Sequence, residues 1–309
     1  MLKHLDDLTL LLRVADLGSI SAAARNLDLS AAVASQRLQR LEKSLGVRLL
    51  HRTTRRLRLT AEGTALVERG RPLVHEIEAL TGSLQEAAGD VSGTLSVTVP
   101  ASFGLQYISP LLPEFLARHP RLKLHIDLSD STRDLVRDGF DLAIRIGELH
   151  DSTLVARRIA RVRRVLCASP AYLKRRGLPK TPQDLADHDC LLLSREGAQA
   201  VWRLRGPDGK ESAVRVRGPL ESNLGEVLRD AALAGLGIAL HSTWHVCEDI
   251  QRGRLQVVLP RYSPPESGLY AVMPQRRLVL PRARAFTDFL AERFGDPPIW
   301  DRHARARKA

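Results

Sequence analysis

The chain has 309 residues, 44% of them hydrophobic, which is too long for one ordinary core and suits two or three compact units. A formal net charge of +12 favours an anionic partner, most often nucleic acid. The three cysteines form no CxxC pair, no apolar run follows a basic start, and no stretch approaches about 18 uninterrupted apolar residues, so a cytoplasmic protein without disulfides or a membrane span is expected.

Residues 1–60 carry eleven Lys/Arg against five Asp/Glu, and eight of the basic residues fall between Gln36 and Leu59. Leu5, Leu8, Leu11, Leu12 and Ala15 recur at helical spacing, and Gly18 stops that helix. Ser19 or Ser21 can cap a second helix over 22–27. Ser30 can cap a third, running through Val33, Leu38, Leu41 and Leu45 to Gly46. Two helices joined by a tight turn at Asp28 and Leu29 make a helix-turn-helix. Two short strands, 47–50 and 56–59, then flank a basic loop from His51 to Arg55 as a wing.

Residues 61–88 read as one long helix. Leu66, Leu73, Ile77, Leu80, Leu84 and Ala87 trace a heptad seam, which predicts a dimerisation helix. Pro72 removes a backbone donor and should kink the helix or mark its start.

From Val91 onward strands and helices alternate. Strands are predicted at 94–99, 122–128, 142–146, 165–168, 191–193, 201–204, 214–216, 238–240, 257–259 and 269–273. Helices are predicted at 105–116, around Leu135 and Val136, and at 170–176, 224–234, 244–251 and 281–294. The alternation implies α/β architecture with largely parallel sheets, and about 210 residues suit two subdomains with a cleft between them. No nucleophile–base–orienter set, phosphate loop or metal-ligand spacing stands out, so neither catalysis, a cofactor nor a metal is expected. His241 and His245 lack a third ligand, and Cys167 lies in an apolar strand as a buried thiol.

The motifs, taken together, resemble a known family. Leu27 to Ser30 lead into Ser35, Gln36, Arg37 and Leu38, then Leu41 and Glu42, Leu45 to Leu50, Arg52 to Arg56 and Leu57 to Gly63. This run is similar to the DNA-binding signature of LysR-type transcriptional regulators. Pro113 to Phe115, Asp138 to Gly147, Cys167 to Leu173 and Ala234 to Ile238 resemble the effector domain of the same family. The chain departs from it at Ala34, Ser35 and Gln36, where Val-Ser-Arg is common, at Ala31 or Ala32, where proline is common, and at Pro72. The resemblance implies an α/β protein with an N-terminal winged helix-turn-helix (1–60), a linker and dimerisation helix (61–90), and an effector domain (91–300). That domain would hold two α/β subdomains like those of periplasmic binding proteins, the first near 91–163 and 267–300, the second near 164–266. Residues 301–309 would be a disordered basic tail. A homodimer or homotetramer on double-stranded promoter DNA, with RNA polymerase as a further partner, is implied as well.

A recognition helix presents polar side chains from its N-terminal half to base edges. Gln36 is the expected base reader, with Ser30 and Ser35 near phosphates or bases, Arg37 on a base or a phosphate, and Arg40 following. Ser30 also suits a plain capping role. Arg52, Thr53, Thr54, Arg55 and Arg56 of the wing should meet the backbone or the minor groove. A small-molecule effector is expected where strands end at the cleft. The candidate turns carry Ala101, Ser102 and Phe103, then Ser129 and Ser131, then Ile146, with Trp202 and Asn223 from the second subdomain. Ser102 and Ser131 also suit helix caps, and Trp202 also suits a core aromatic. Thirty Lys/Arg against twenty-three Asp/Glu in residues 91–300 make an anionic effector the expectation.

Overall fold

The computed structural model describes residues 2–52, 57–86, 91–131, 134–147, 155–193, 200–274 and 279–302. The N-terminal unit begins with α1 (Leu2–Leu17), α2 (Ile20–Asn26) and α3 (Ala31–Leu45). Ser19, not Ser21, caps α2 by accepting a hydrogen bond from the Ala22 N–H at 3.3 Å. Asp28 turns the chain with φ 55°, a left-handed conformation that Asp tolerates better than most residues. Ser30 caps α3 by accepting from the Val33 N–H at 3.2 Å, a contact worth about 1 kcal/mol. Gly46 ends α3 at φ 69°. Ala23, Ala24 and Ala34 are buried against Leu10, Leu11, Val14, Leu38 and Leu41. Small residues at these positions let the three helices approach closely.

The hairpin of β1 (Leu50–Arg52) and β2 (Leu57–Leu59) follows. The Glu42 carboxylate in α3 accepts from the Leu49 and Leu50 N–H groups at 2.9 and 3.1 Å, which fixes where the hairpin leaves the helix. Thr60 then caps the long α4 (Ala61–Glu86): its hydroxyl oxygen accepts from the Gly63 N–H and donates to the Arg48 carbonyl. A Cβ on Gly63 would lie 2.1 Å from the Leu49 carbonyl oxygen, so only glycine permits this junction. Pro72 lies inside α4 and does not mark its start. Val67 and Val74 are buried against the N-terminal core, with Leu66 half-buried beside them, whereas Leu73, Ile77 and Leu80 are exposed. Leu66 therefore belongs to the N-terminal core and not to the exposed seam.

The C-terminal unit contains, in chain order, β3 (Gly93–Val99), α5 (Ala101–Phe103), α6 (Leu112–Arg118), β4 (Leu122–Leu128), β5 (Leu142–Gly147), β6 (Val155–Val162), β7 (Arg164–Ala168) and α7 (Pro170–Arg176). It continues with β8 (Cys190–Leu193), β9 (Val201–Arg205), β10 (Glu211–Arg215), β11 (Glu221–Ser222), α8 (Gly225–Leu233), β12 (Ile238–Ser242), α9 (Thr243–Gln251), β13 (Gln256–Val258), β14 (Ser267–Met273), α10 (Pro281–Phe294) and α11 (Ile299–Arg302). One five-stranded sheet has the order β4-β3-β5-β14-β6, a second has β11-β8-β12-β7-β13, and β9 pairs only with β10. Both sheets are mixed. β3 is parallel to β4 and β5, but β14 is antiparallel to β5 and β6; β8 is parallel to β11 and β12, but β7 is antiparallel to β12 and β13. The expectation of largely parallel sheets is corrected. The antiparallel pairs arise where the chain crosses between sheets, at Arg163 on the way out and through residues 259–266 on the way back.

Two helix expectations also change. Residues 135–139 form turns, closed by the Asp138 N–H on the Asp134 carbonyl and the Phe140 N–H on the Leu135 carbonyl. The helix expected at 105–116 is a chain of pieces: α5, a π turn Gly104–Ile108, a 3-10 turn Ser109–Leu111, and α6. Pro110 and Pro113 lack the N–H that a continuous α ladder needs.

The first sheet buries Leu95, Val97 and Val99 of β3 under Phe103, Phe115, Phe286 and Phe294. Trp244, from α9 after the second sheet, joins this same core. Its ring centroid lies 5.2 Å from Phe103, and its carbonyl accepts from the Tyr107 hydroxyl at 2.8 Å. The two sheets are thus bolted at their crossing by aromatic packing. Among the described residues, no helix is long and apolar enough to cross a membrane.

Candidate functional site

Two places collect the predicted residues. The first is the outer face of α3. Ala34, Leu38 and Leu41 are buried on the inner face. Helical spacing of 100° per residue then puts Ala32, Gln36, Gln39 and Lys43 on the opposite side, and all four are exposed. Gln36 stands near the centre of that face. Ser35 and Arg37 flank it and are half-buried. Ser30 is exposed at the helix start and caps it, so its side chain already has a structural task.

Arg40 differs from the expectation. Its guanidinium closes on Asp7 of α1, with Nη2 3.0 Å from both carboxylate oxygens. Asp7 is only 2% exposed, so Arg40 neutralises a buried carboxylate and ties α3 to α1. Gln39 and Lys43 were missed by the sequence reading, although their spacing of three and seven from Gln36 places them on the same face. Of the wing, Thr53, Thr54, Arg55 and Arg56 lie outside the described residues, and Arg52 contributes backbone to β1.

The second place is where strand ends converge. β3 and β4 run parallel in register from Gly93 with Leu122 to Val99 with Leu128. Their following turns are therefore neighbours, and the Ser129 N–H donates to the Val99 carbonyl at 2.8 Å. This brings Ala101 and Ser102 beside Ser129 and Ser131, whose hydroxyls are 2.7 Å apart. β5, parallel to β3, delivers Arg145 and Ile146 to the same end. Across the gap, Asn223 is exposed in the turn between β11 and α8.

Phe103 and Trp202 do not join this set. Phe103 is 0% exposed in the first core, and Trp202 is buried in the second with Leu204, Tyr172 and Ile238. Both are core aromatics in this structure, because their large apolar surfaces find complete cover there.

The gap is instead lined by three titratable residues that the sequence reading did not select. Asp130, between Ser129 and Ser131, sits beside the Ala101 N–H and Arg145. Its carboxyl is held above the usual range by partial burial, against the pull of those two groups. Glu226, in the first turn of α8, is raised by burial and by the Asp130 charge facing it. His245 of α9 lies 3.9 Å from Glu226, with its side chain 7% exposed. Burial first, then the His241 and Arg229 charges, push its pKa down to about 3, so the ring is neutral. Glu226 Oε2 and His245 Nδ1 make no hydrogen bond among the described residues. His241 is satisfied, with Nε2 2.9 Å from the Gly225 carbonyl and Nδ1 accepting from the Ser242 N–H. Asp130 lay within a quoted motif, but its pairing with Glu226 joins residues far apart in sequence. Cys167 is fully buried with its thiol pushed up to about 12, an inert state. Among the described residues no group of His, Cys, Asp or Glu could hold a metal ion.

The N-terminal and C-terminal units also meet. Lys123 of β4 pairs with Asp28 in the helix-turn-helix at 2.5 Å. Arg282 of α10, 8% exposed, pairs with Glu78 of α4 at 2.5 Å and with Asp141 at 3.7 Å. A cavity of about 790 Å³ lies between the units, lined among others by Asn26, Glu68, Arg71, His125 and Asp127.

Comparison with known proteins matches residues 5–64 to the profile described as bacterial regulatory helix-turn-helix protein, lysR family. Residues 88–295 match the LysR substrate binding domain. The chain is 37% identical over 293 residues to the HTH-type transcriptional regulator DmlR of Escherichia coli K12, covering 94% of this chain and 95% of that protein. Among solved structures it is similar to CrgA, a LysR-type transcriptional regulator from Neisseria meningitidis, with 33% identity, a TM-score of 0.58, and 93% and 97% of the two chains covered. It is also similar to the full-length Vibrio cholerae virulence activator AphB, with 28% identity, a TM-score of 0.57, and 93% and 98% covered.

Proposed function

The chain belongs to the LysR family of bacterial transcription regulators, and from this membership we propose how its residues divide the work. It is a DNA-binding transcription regulator with an effector-binding domain, and its relatives are regulators rather than enzymes. In our reading, residues 1–60 read promoter DNA in the cytoplasm, 61–90 join copies of the chain, and 91–300 take up a small molecule between the two sheets. Two recognition helices in a homodimer meet half-sites about one DNA turn apart, and two dimers form a tetramer. Effector occupancy shifts the balance between placements of the DNA-reading units, and with it access for RNA polymerase.

The observation that carries this reading is the exposed polar face of α3 opposite its buried stripe. Gln36 reads a base there, since the glutamine amide can bond an adenine edge at two points. Ser35 and Arg37 lie at its flanks, and Ser30 with the wing arginines Arg52, Arg55 and Arg56 meets phosphates. Gln36→Ala should relax base preference at one position by about 1–3 kcal/mol. Lys43→Ala should weaken binding to every sequence alike. Binding to a panel of single-base operator variants tests the pair, and identical profiles for the two variants would refute the assignment.

A further inference from the structure

The effector cleft contains carboxylates of its own. Asp130 comes from the turn after β4 in the first sheet, and Glu226 from the start of α8 beside the second. They face one another across the gap. Arg145 stands on the Asp130 side. On the Glu226 side the nearest basic groups are spent or neutral. Arg229 is held by Asp249 at 2.6 Å and by Asp230 at 3.5 Å. His241 uses both ring nitrogens on backbone groups, and His245 is uncharged. Glu226 therefore presents a charge that no neighbouring cation offsets. Beside it His245, with its side chain 93% buried, holds a nitrogen that lacks a partner, as does Glu226 Oε2.

We propose that the effector of this chain carries a primary ammonium group, which binds between Asp130 and Glu226. This rests on the reading that the effector occupies the cleft between the sheets. A primary ammonium offers three N–H donors and no acceptor. The site offers the Asp130 carboxylate, Glu226 Oε2 and His245 Nδ1 as acceptors. Because the two carboxylates belong to different subdomains, a cation between them removes their repulsion and draws the subdomains together. An anion would meet the same two carboxylates and add to the repulsion. The excess of arginine in residues 91–300, which favoured an anionic effector, lies largely outside the cleft: Arg157 pairs with Asp288, Arg163 with Asp301, and Arg205 with Glu211. Arg145 remains to hold an oxygen-bearing end of the same molecule.

The test uses the full-length protein and two panels of probes. Putrescine, ethanolamine and L-lysine form the first; succinate, glycolate and adipate, which lack the amine, form the second. Affinity is read by calorimetry, and the place of binding by hydrogen exchange at residues 100–104, 129–131 and 222–226. At least one amine should bind and protect these turns, while the carboxylates do not. Glu226→Gln and Asp130→Asn should each weaken that binding tenfold or more, with melting temperatures near wild type. Failure of every amine to protect the turns overturns the proposal, as does amine binding that is unchanged in Glu226→Gln. Carboxylates protecting the turns would reject the ammonium and leave the cleft standing. Binding with protection confined to other regions would reject the cleft itself.

Discussion

Arg40 occupies a position on α3 from which an arginine could reach DNA, yet its guanidinium turns back to Asp7. The carboxylate is buried and the arginine is 56% exposed, so solvent weakens the pair but does not remove the cost of orphaning Asp7. Arg40→Ala should destabilise the N-terminal unit by about 1–3 kcal/mol, and adding Asp7→Asn should restore most of it. Thermal melts of the three variants check this. A fully stable Arg40→Ala that binds DNA poorly would return Arg40 to the base-reading set. His245 gives a second expectation. Its folded pKa of about 3 lies below the usual 6.5, so its neutral form contributes stability that is complete above about pH 6.5. That contribution is lost as pH falls from 6.5 towards 3, because the unfolded chain takes up the proton first. The melting temperature should fall across this window, and His245→Gln should flatten the slope. An unchanged slope in the variant would show that the ring is not the titrating group.

Elements were legible where a local signal decides them. Ser30 and Gly46 bracket α3 through a cap and a left-handed stop, both visible as residue types at the right spacing. β4 and α7 follow from alternation and from the Ser169 cap with Pro170 behind it. β6 escaped because its residues, Val155 to Val162, do not alternate cleanly, and the register with β14 shifts between Leu269 and Tyr270. A bulge of this kind displaces the period of two on which the reading depends. Strand direction was not legible either, since pairing is set by long-range crossings that no local pattern encodes. In α4 the heptad spacing was visible but its inner limit was not: Leu66 turned to the N-terminal core, leaving Leu73, Ile77 and Leu80 as the exposed seam. Leu73 and Leu80 are 58% and 55% exposed. The seam should join two copies of the chain, so Leu73→Asp with Leu80→Asp should lower self-association at least tenfold while leaving the melt of each domain intact. Sedimentation across a concentration series measures it, and an unchanged assembly would place the interface elsewhere.

At the scale of the whole molecule, the cationic start of the chain and the motifs through Gly63 made the class readable, and the family comparisons agree with it. The site was readable in part. The turns after β3, β4 and β5 could be chosen because open sheets bind ligands at strand ends. The facing of Asp130 and Glu226 could not, since it depends on how two sheets joined by only two crossings are set against one another. The same joining carries the regulatory logic: Lys123 to Asp28 and Arg282 to Glu78 tie the first sheet to the helix-turn-helix and to α4. A change in the cleft therefore has a mechanical route to the DNA-reading face. The account stands on sequence-specific DNA binding by that face. Its most direct test is binding of the full-length protein to fragments of its own promoter region and to random duplex, at about 150 mM salt. The expected result is one fragment bound about 10³-fold or more tightly than random duplex, with that preference reduced by Gln36→Ala. Equal affinity for every duplex, falling with salt alike for all, would contradict it.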